Sequence, residues 1–291
     1  MRTLTAWLMA LAISFIATPL EAKERLNVVA SFSILADFVR EVGGERVEVT
    51  TLVGANGDVH VYTPAPQDVK KIADARLVFV NGLGLEGWLT RLLQSSPGKP
   101  SVVVVTNGIT PLRLGSQADP HAWQSVENAK VYVKNIRDAL VQADVADADY
   151  FRRNADRYLV ELDALDRAVR NEVEKIPPER RKVISTHYAF GYFARSYGVE
   201  FIAPSGVSTE AEPSAGDVAA IITRIKRDEV PAVFLENISD DRLMRRISEE
   251  TGAAVGGTLY SDSLTDEKGV APTYIAMVNH NIRALTSALS R

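Results

Sequence analysis

The sequence predicts an α/β protein of two lobes, each a mostly parallel sheet flanked by helices, bridged by one long rigid α-helix. Two observations carry this. Short Val-rich runs bounded by Gly or Pro alternate with helical patterns in both halves of the chain, as parallel strands covered on both faces do. Between the two sets, Tyr150 to Ile176 contains neither Gly nor Pro, and its apolar residues recur every three or four positions.

Taken in order, residues 1–22 read as a secretory signal peptide. Arg2 makes the start basic, an apolar run of about fourteen residues spans Leu4 to Ala17, and Leu20 and Ala22 offer small-residue cleavage positions. A membrane span would need about twenty residues. The first lobe, 23–145, opens with a strand at Asn27–Ala30 and a helix at Ile34–Val42 that Gly43-Gly44 ends. Strands are expected at Val47–Val53, Leu77–Asn81 and Val102–Thr106. The interlobe helix is placed at 146–178, where Pro177-Pro178 stops it; 27 residues from Tyr150 to Ile176 make a rod of roughly 40 Å. Such a rod argues against wide hinge motion. The second lobe, 179–291, has strand candidates at Lys182–Ser185, Glu200–Ala203, Ala232–Glu236 and Ala253–Leu259, with helices at Ala215–Arg227, Asp240–Thr251 and Thr273–Ser287.

Composition narrows the chemistry. The chain has no cysteine, which leaves imidazole and oxygen as the available metal donors and rules out disulfides. A net charge of −4 without a basic cluster gives no footprint for nucleic acid or an anionic membrane. A lipid-anchored chain would carry a cysteine at the cleavage point, so the expected location is the soluble periplasm, without an anchor. No feature calls for a second copy, and the chain is read as a monomer.

Three of the four histidines, His60, His121 and His187, follow apparent strand ends, and Asp262 stands in a similar setting. Spacings of 61, 66 and 75 residues bring each from a different structural unit, two per half of the chain, which suggests one metal ion held between the lobes. His60 follows a Gly-rich turn and precedes Pro64 and Pro66, whose fixed φ stiffens the exit before a helix near Gln67. Asp119 reads as an N-cap with Pro120 at the first helical position, placing His121 in a first helical turn. His187 stands at the carboxyl end of a buried strand, where open parallel sheets bind ligands. A lone histidine is more often a packed or capping residue, and an aspartate after a strand is often a turn former. Three histidines at matching positions argue against that reading. His280 falls in the C-terminal helix and is read as an ordinary residue.

The segments GDVHVYTPAPQD, LVFVNGLGLEGWL, DPHAWQ, STHYAFGYFARSYGVEF and LYSDSL, in this order, resemble the cluster A-I solute-binding proteins of zinc and manganese ABC importers over essentially the whole mature chain. The resemblance implies two lobes bridged by a helix, little closure on loading, and a cation bound by His60, His121, His187 and Asp262. Three imidazoles and a carboxylate favour Zn²⁺, with Mn²⁺ or Fe²⁺ as alternatives. Residues 61–120 lack the histidine-rich acidic loop of many zinc-importing relatives. The expected partners are a membrane permease with its ATPase and a metallochaperone that hands over the ion. Protons compete for the imidazoles, so affinity should fall through the range near ~6.5. Asp58, Asp119 and Glu236 are candidates to fix the rings. A secreted zinc hydrolase would use Asp262 as a general base, but the chain has no HExxH or GxSxG motif, and four protein ligands leave no open position. An adhesin is a further alternative, set aside because adhesive relatives are usually lipid-anchored.

Overall fold

The structure, a computed structural model, describes residues 24–290, so the signal peptide expected at 1–22 lies outside the described residues. The chain runs through β1 (Leu26–Phe32), α1 (Ser33–Gly43), β2 (Val47–Val53), α2 (Pro66–Asp74), β3 (Leu77–Val80), α3 (Leu89–Ser95), β4 (Ser101–Val104) and a short hairpin, β5 (Arg113–Leu114) and β6 (Gln117–Ala118). Two long helices follow, α4 (Val126–Ala143) and α5 (Ala148–Glu174). The second lobe comprises β7 (Lys182–Ile184), α6 (Gly191–Tyr197), β8 (Glu200–Ile202), α7 (Ala215–Arg227), β9 (Ala232–Glu236), α8 (Arg242–Thr251), β10 (Ala254–Leu259) and α9 (Tyr274–Leu289). Among the described residues no helix is long and apolar enough to cross a membrane.

Each lobe contains a four-stranded parallel sheet, ordered β2-β1-β3-β4 in the first and β8-β7-β9-β10 in the second. The two therefore share one topology. Its central strands are continuous apolar runs because both faces are covered: all four residues of β3 and all five of β9 are buried. In such sheets ligands collect outside the carboxyl ends of the strands. Those ends face one another across the cleft.

The predicted rod is α5, 27 residues long, with Phe151, Ala155, Tyr158, Leu162, Leu165, Val169 and Val173 forming its buried stripe. It packs on α1 and α4 of the first lobe and on α6 and α9 of the second. The lobes also share core. Phe38 of α1 meets Tyr132 of α4, Tyr158 of α5 and Tyr274 of α9 at ring-centroid distances of 5.7, 6.3 and 4.7 Å. One apolar cluster runs from Val28 in β1 to Leu289 in α9. A second, smaller cluster lies under α7 and α8 and includes Ile184, Ile225, Val233 and Ile247.

Most predicted elements stand within two or three residues of their expected bounds. Helices α3 and α6 and the β5–β6 hairpin have no counterpart in the sequence reading, and the helix expected from Pro120 begins, as α4, only at Val126.

Candidate metal centre

The four candidates converge from four loops. His60 lies beyond β2, after the turn that Gly57 N–H closes on the Gly54 carbonyl at 3.2 Å. Its backbone N–H donates to Asp58 Oδ1 at 2.8 Å, and the Trp88 indole N–H donates to the Val59 carbonyl at 2.8 Å. On the exit side, the Tyr62 hydroxyl donates to Asp68 at the start of α2 at 2.7 Å. His121 follows β4 by way of the hairpin. His187 follows β7, and Asp262 follows β10.

His121 differs from expectation in its local structure. It precedes a single 3-10 turn, Ala122–Gln124, and α4 begins only at Val126, so the residue is not in a first helical turn. Asp119 does accept the His121 backbone N–H, at 3.0 Å, as a capping residue would. The same carboxylate oxygen lies 2.7 Å from His121 Nδ1. Asp119 is thus engaged with a ring as well as a backbone, which its neighbours in sequence gave no way to distinguish.

At the centre, His121 Nε2 lies 3.2 Å from His60 Nε2 and 3.3 Å from His187 Nε2. Asp262 Oδ2 is 3.2 Å from His60 Nε2 and 3.1 Å from His187 Nε2, and Asp262 Oδ1 is 3.6 Å from His121 Nε2. One ligand-grade atom from each of the four lies within 4.8 Å of the others. Bonds of about 2.0 Å to a tetrahedral cation would set donor atoms ~3.3 Å apart, so these spacings suit a small metal ion. The Asp262 side chain is wholly buried, and neither of its oxygens has a well-aligned hydrogen-bond donor. A buried carboxylate in that state is costly unless a cation faces it.

Burial alone would push the Asp262 carboxyl up, but the His121 and His187 imidazoles hold it well below the usual carboxylate range. Burial would lower His187, and the Glu236 and Asp262 carboxylates instead hold its proton well above the usual imidazole range. Glu236, also buried, is kept below the ordinary range by His187. Its Oε2 lies 2.7 Å from His187 Nδ1, while Oε1 accepts the backbone N–H of Thr186 and of His187 at 2.7 and 3.1 Å. Two rings therefore have a carboxylate behind them. Among the described residues, no carboxylate oxygen comes within 4.0 Å of the far nitrogen of His60, and Asp58 holds its backbone instead.

His280 stands apart, its Nε2 3.0 Å from the Thr258 carbonyl and its ring against Tyr260. An open cleft of about 700 Å³ borders His60, with Tyr62, Trp88 and Pro120 among its walls, and a smaller one of about 230 Å³ borders His187. In the wall of the smaller cleft the Thr209 hydroxyl of the second lobe donates to Asp58 Oδ2 of the first at 2.6 Å. Behind the site the seam is buried: the Trp123 and Gln124 side chains both donate to the Ser261 carbonyl, and Ser33 Oγ accepts the Leu264 N–H. Trp88, Trp123 and Gln124 lie in segments whose likeness to the family was noted, yet nothing in their spacing marked them as supports.

Residues 28–288 match the family model described as zinc-uptake complex component A, periplasmic (ZnuA). The iron-binding protein YfeA of Yersinia pestis is 35% identical over 278 residues, covering 94% of this chain and 89% of that protein. The manganese-binding lipoprotein MntA of Halalkalibacterium halodurans is 35% identical over 272 residues, covering 93% of this chain and 91% of that protein. Among solved structures, the periplasmic zinc-binding protein TroA of Treponema pallidum superposes with a TM-score of 0.88 at 32% identity, covering 92% of this chain and 100% of that one. These likenesses correct one expectation. The Halalkalibacterium relative and several streptococcal ones are named lipoproteins, which contradicts the reading of an unanchored chain. That reading rested on a missing cysteine, and the absence of one residue type does not fix where a protein is held.

Proposed function

This chain belongs to the zinc-uptake complex component A family, and from that premise we propose that His60, His121, His187 and Asp262 are the ligands of its cargo cation, with Zn²⁺ as the first candidate. The protein is the metal-binding substrate-binding component of an ABC importer, not an enzyme, and it works with a membrane permease and its ATPase. The observation that carries the ligand assignment is the buried, unsatisfied Asp262 carboxylate facing three Nε2 atoms. Asp119 Oδ1 meets His121 Nδ1 and Glu236 Oε2 lies 2.7 Å from His187 Nδ1, so both rings turn Nε2 inward, and a bound cation would take the place of any proton there.

Zinc is supported by the donor set, since three neutral imidazoles and one carboxylate complete a four-coordinate site. A second reading, manganese or ferrous iron, has its own support: both Asp262 oxygens face the histidines, so a chelating carboxylate would raise the coordination number toward what those ions prefer. The relatives named for iron and manganese stand on the same side. We also take the lobes to divide at 23–145, 146–178 and 179–291, and the protein to act as a monomer that accepts its ion from a metallochaperone. Competition titration of stripped protein with Zn²⁺ against Mn²⁺ and Fe²⁺ decides the cargo. Zinc winning by the margin of the general affinity order supports the first reading; manganese or iron displacing zinc at equal free concentration overturns it.

A further inference from the structure

We propose that Gly191, the first residue of α6, is a positioning residue for the metal centre: its missing side chain makes room for the Asp119 carboxylate that orients His121. The inference rests on the ligand assignment above. A Cβ on Gly191 would stand 2.6 Å from Asp119 Oδ2 and 2.9 Å from Tyr188 Cε1. Carbon and oxygen do not approach so closely without overlap, so one neighbour has to move.

Tyr188 is half-buried and has somewhere to go. Asp119 does not. Its side chain is fully buried, and its Oδ1 serves both the backbone N–H and Nδ1 of His121. Its backbone is pinned as well, the N–H donating to the Leu112 carbonyl at 2.8 Å and the carbonyl accepting the Tyr192 hydroxyl at 2.9 Å. That hydroxyl in turn accepts the Leu112 N–H at 3.0 Å. Displacing Oδ2 would therefore rotate Oδ1 away from the imidazole, because the carboxylate is rigid and the Asp119 backbone is held at both its N–H and its carbonyl.

The backbone gives no other reason for glycine. Gly191 is not among the residues with positive φ, and within a helix alanine is the more favourable residue. Glycine at this position thus forgoes helix propensity and leaves space for the Asp119 carboxylate and the Tyr188 ring, of which only the carboxylate is fixed. The geometry also joins the lobes functionally: the start of α6, in the second lobe, sets the orientation of a histidine belonging to the first.

The test compares zinc affinity, measured by chelator competition, in the full chain and in Gly191→Ala, Asp119→Ala, the double variant and His121→Ala. Gly191→Ala should lower affinity about 10–100-fold, the usual effect of disturbing a ligand's hydrogen-bond partner, while the metal-free melting temperature falls by no more than a single buried overlap costs. The absorption spectrum of the Co²⁺-loaded protein should shift with it, since that spectrum follows ligand geometry. In the Asp119→Ala background only the contact with the half-buried Tyr188 ring remains, which does not touch His121, and adding Gly191→Ala should cost no further metal affinity. Wild-type affinity in Gly191→Ala, or a full additional loss in the double variant, overturns the proposal. If Gly191→Ala alone does not fold, recovery of a folded double variant supports the clash and failure to recover refutes it. Loss of binding in His121→Ala with none in Gly191→Ala sinks only this inference; intact binding in His121→Ala sinks the ligand assignment beneath it.

Discussion

Removing one imidazole at a time should separate the metal centre from the fold. Structural zinc sites bind with about 10–16 kcal/mol, so one of four ligands carries about 2.5–4 kcal/mol, or 10²–10³ in affinity. With free Zn²⁺ at about a thousand times the wild-type dissociation constant, loading stabilises the native state by about 4 kcal/mol. In a chain of 291 residues this is a rise in melting temperature on the order of 10 °C. At the same free metal, His60→Ala, His121→Ala and His187→Ala would face only ~1–10 times their dissociation constants. The stabilisation then shrinks to about 0.4–1.4 kcal/mol, and the shift to about 1–4 °C. His280→Ala is the control, because its ring addresses the Thr258 carbonyl and Tyr260 rather than the cluster. Its metal-free melting temperature is free to change, but its metal-induced shift should match wild type. The assay is a thermal melt of stripped protein with and without Zn²⁺. An unchanged wild-type melt with zinc, manganese and iron alike would refute the reasoning, as would equal losses from all four histidines.

Four further outcomes follow from particular contacts. Glu236→Gln would place an amide N–H₂ against His187 Nδ1, where a carboxylate now accepts, and should reduce metal affinity about 10–100-fold in a chelator titration while leaving the melt of stripped protein within a few degrees. Trp88→Phe leaves the buried Val59 carbonyl without its donor and should cost about 1–3 kcal/mol in urea unfolding of the stripped protein. Thr209→Val removes the hydroxyl that crosses the mouth to Asp58 and should speed metal release about 5–10-fold in stopped-flow chelation, the equivalent of one hydrogen bond. Asp37 is pushed up to about 7 from 3.8 by burial, against the Tyr274 N–H that it accepts. Between those values only the folded state holds the proton, so Asp37 contributes stability to the stripped protein that is lost as pH rises from 4 to 7, up to about 4 kcal/mol, and Asp37→Asn should flatten the slope by that amount. A variant that keeps the wild-type pH dependence would refute it.

The strands and the rod were legible because burial on both faces writes itself as unbroken Val-rich runs, and a single long stripe writes itself as a three-and-four period. The missed helices have physical reasons. Helices α3 and α6 are seven residues each, two turns, too short to display a stripe. Helix α4, expected from Pro120, starts at Val126, after a 3-10 turn at Ala122–Gln124, because its buried stripe, Val126, Ala129, Tyr132, Val133, Ile136 and Leu140, begins only there. At the site, the donor types were readable and the partners only as a pool. Asp119 and Glu236 stand behind rings, whereas Asp58 holds the backbone of His60 and the hydroxyl of Thr209. Which carboxylate meets which ring is set by how loops pack, and no periodicity encodes that. Gly191 was invisible for the same reason, since an absent side chain leaves no mark on a pattern.

The division of contacts between seam and mouth bears on how the ion enters and leaves. Turning one lobe against the other would break the Phe38–Tyr274 ring contact and the buried bonds from Trp123, Gln124 and Ser33 to the 261–264 segment. Uncovering Phe38 by itself would cost about as much as truncating it, roughly 3–5 kcal/mol. At the mouth, by contrast, a part-buried hydroxyl bond joins Thr209, in a loop between β8 and α7 without regular structure, to Asp58. That bond is worth about 1 kcal/mol. Helices α7 and α8 also stand on their own small core, so displacing the loop before α7 does not draw on the cluster that holds the lobes together. The cheap motion is therefore local and on the side of His60, whose ring has no carboxylate behind it among the described residues. Exchange should begin with that histidine leaving the cluster while His121 and His187, braced by Asp119 and Glu236, stay in place.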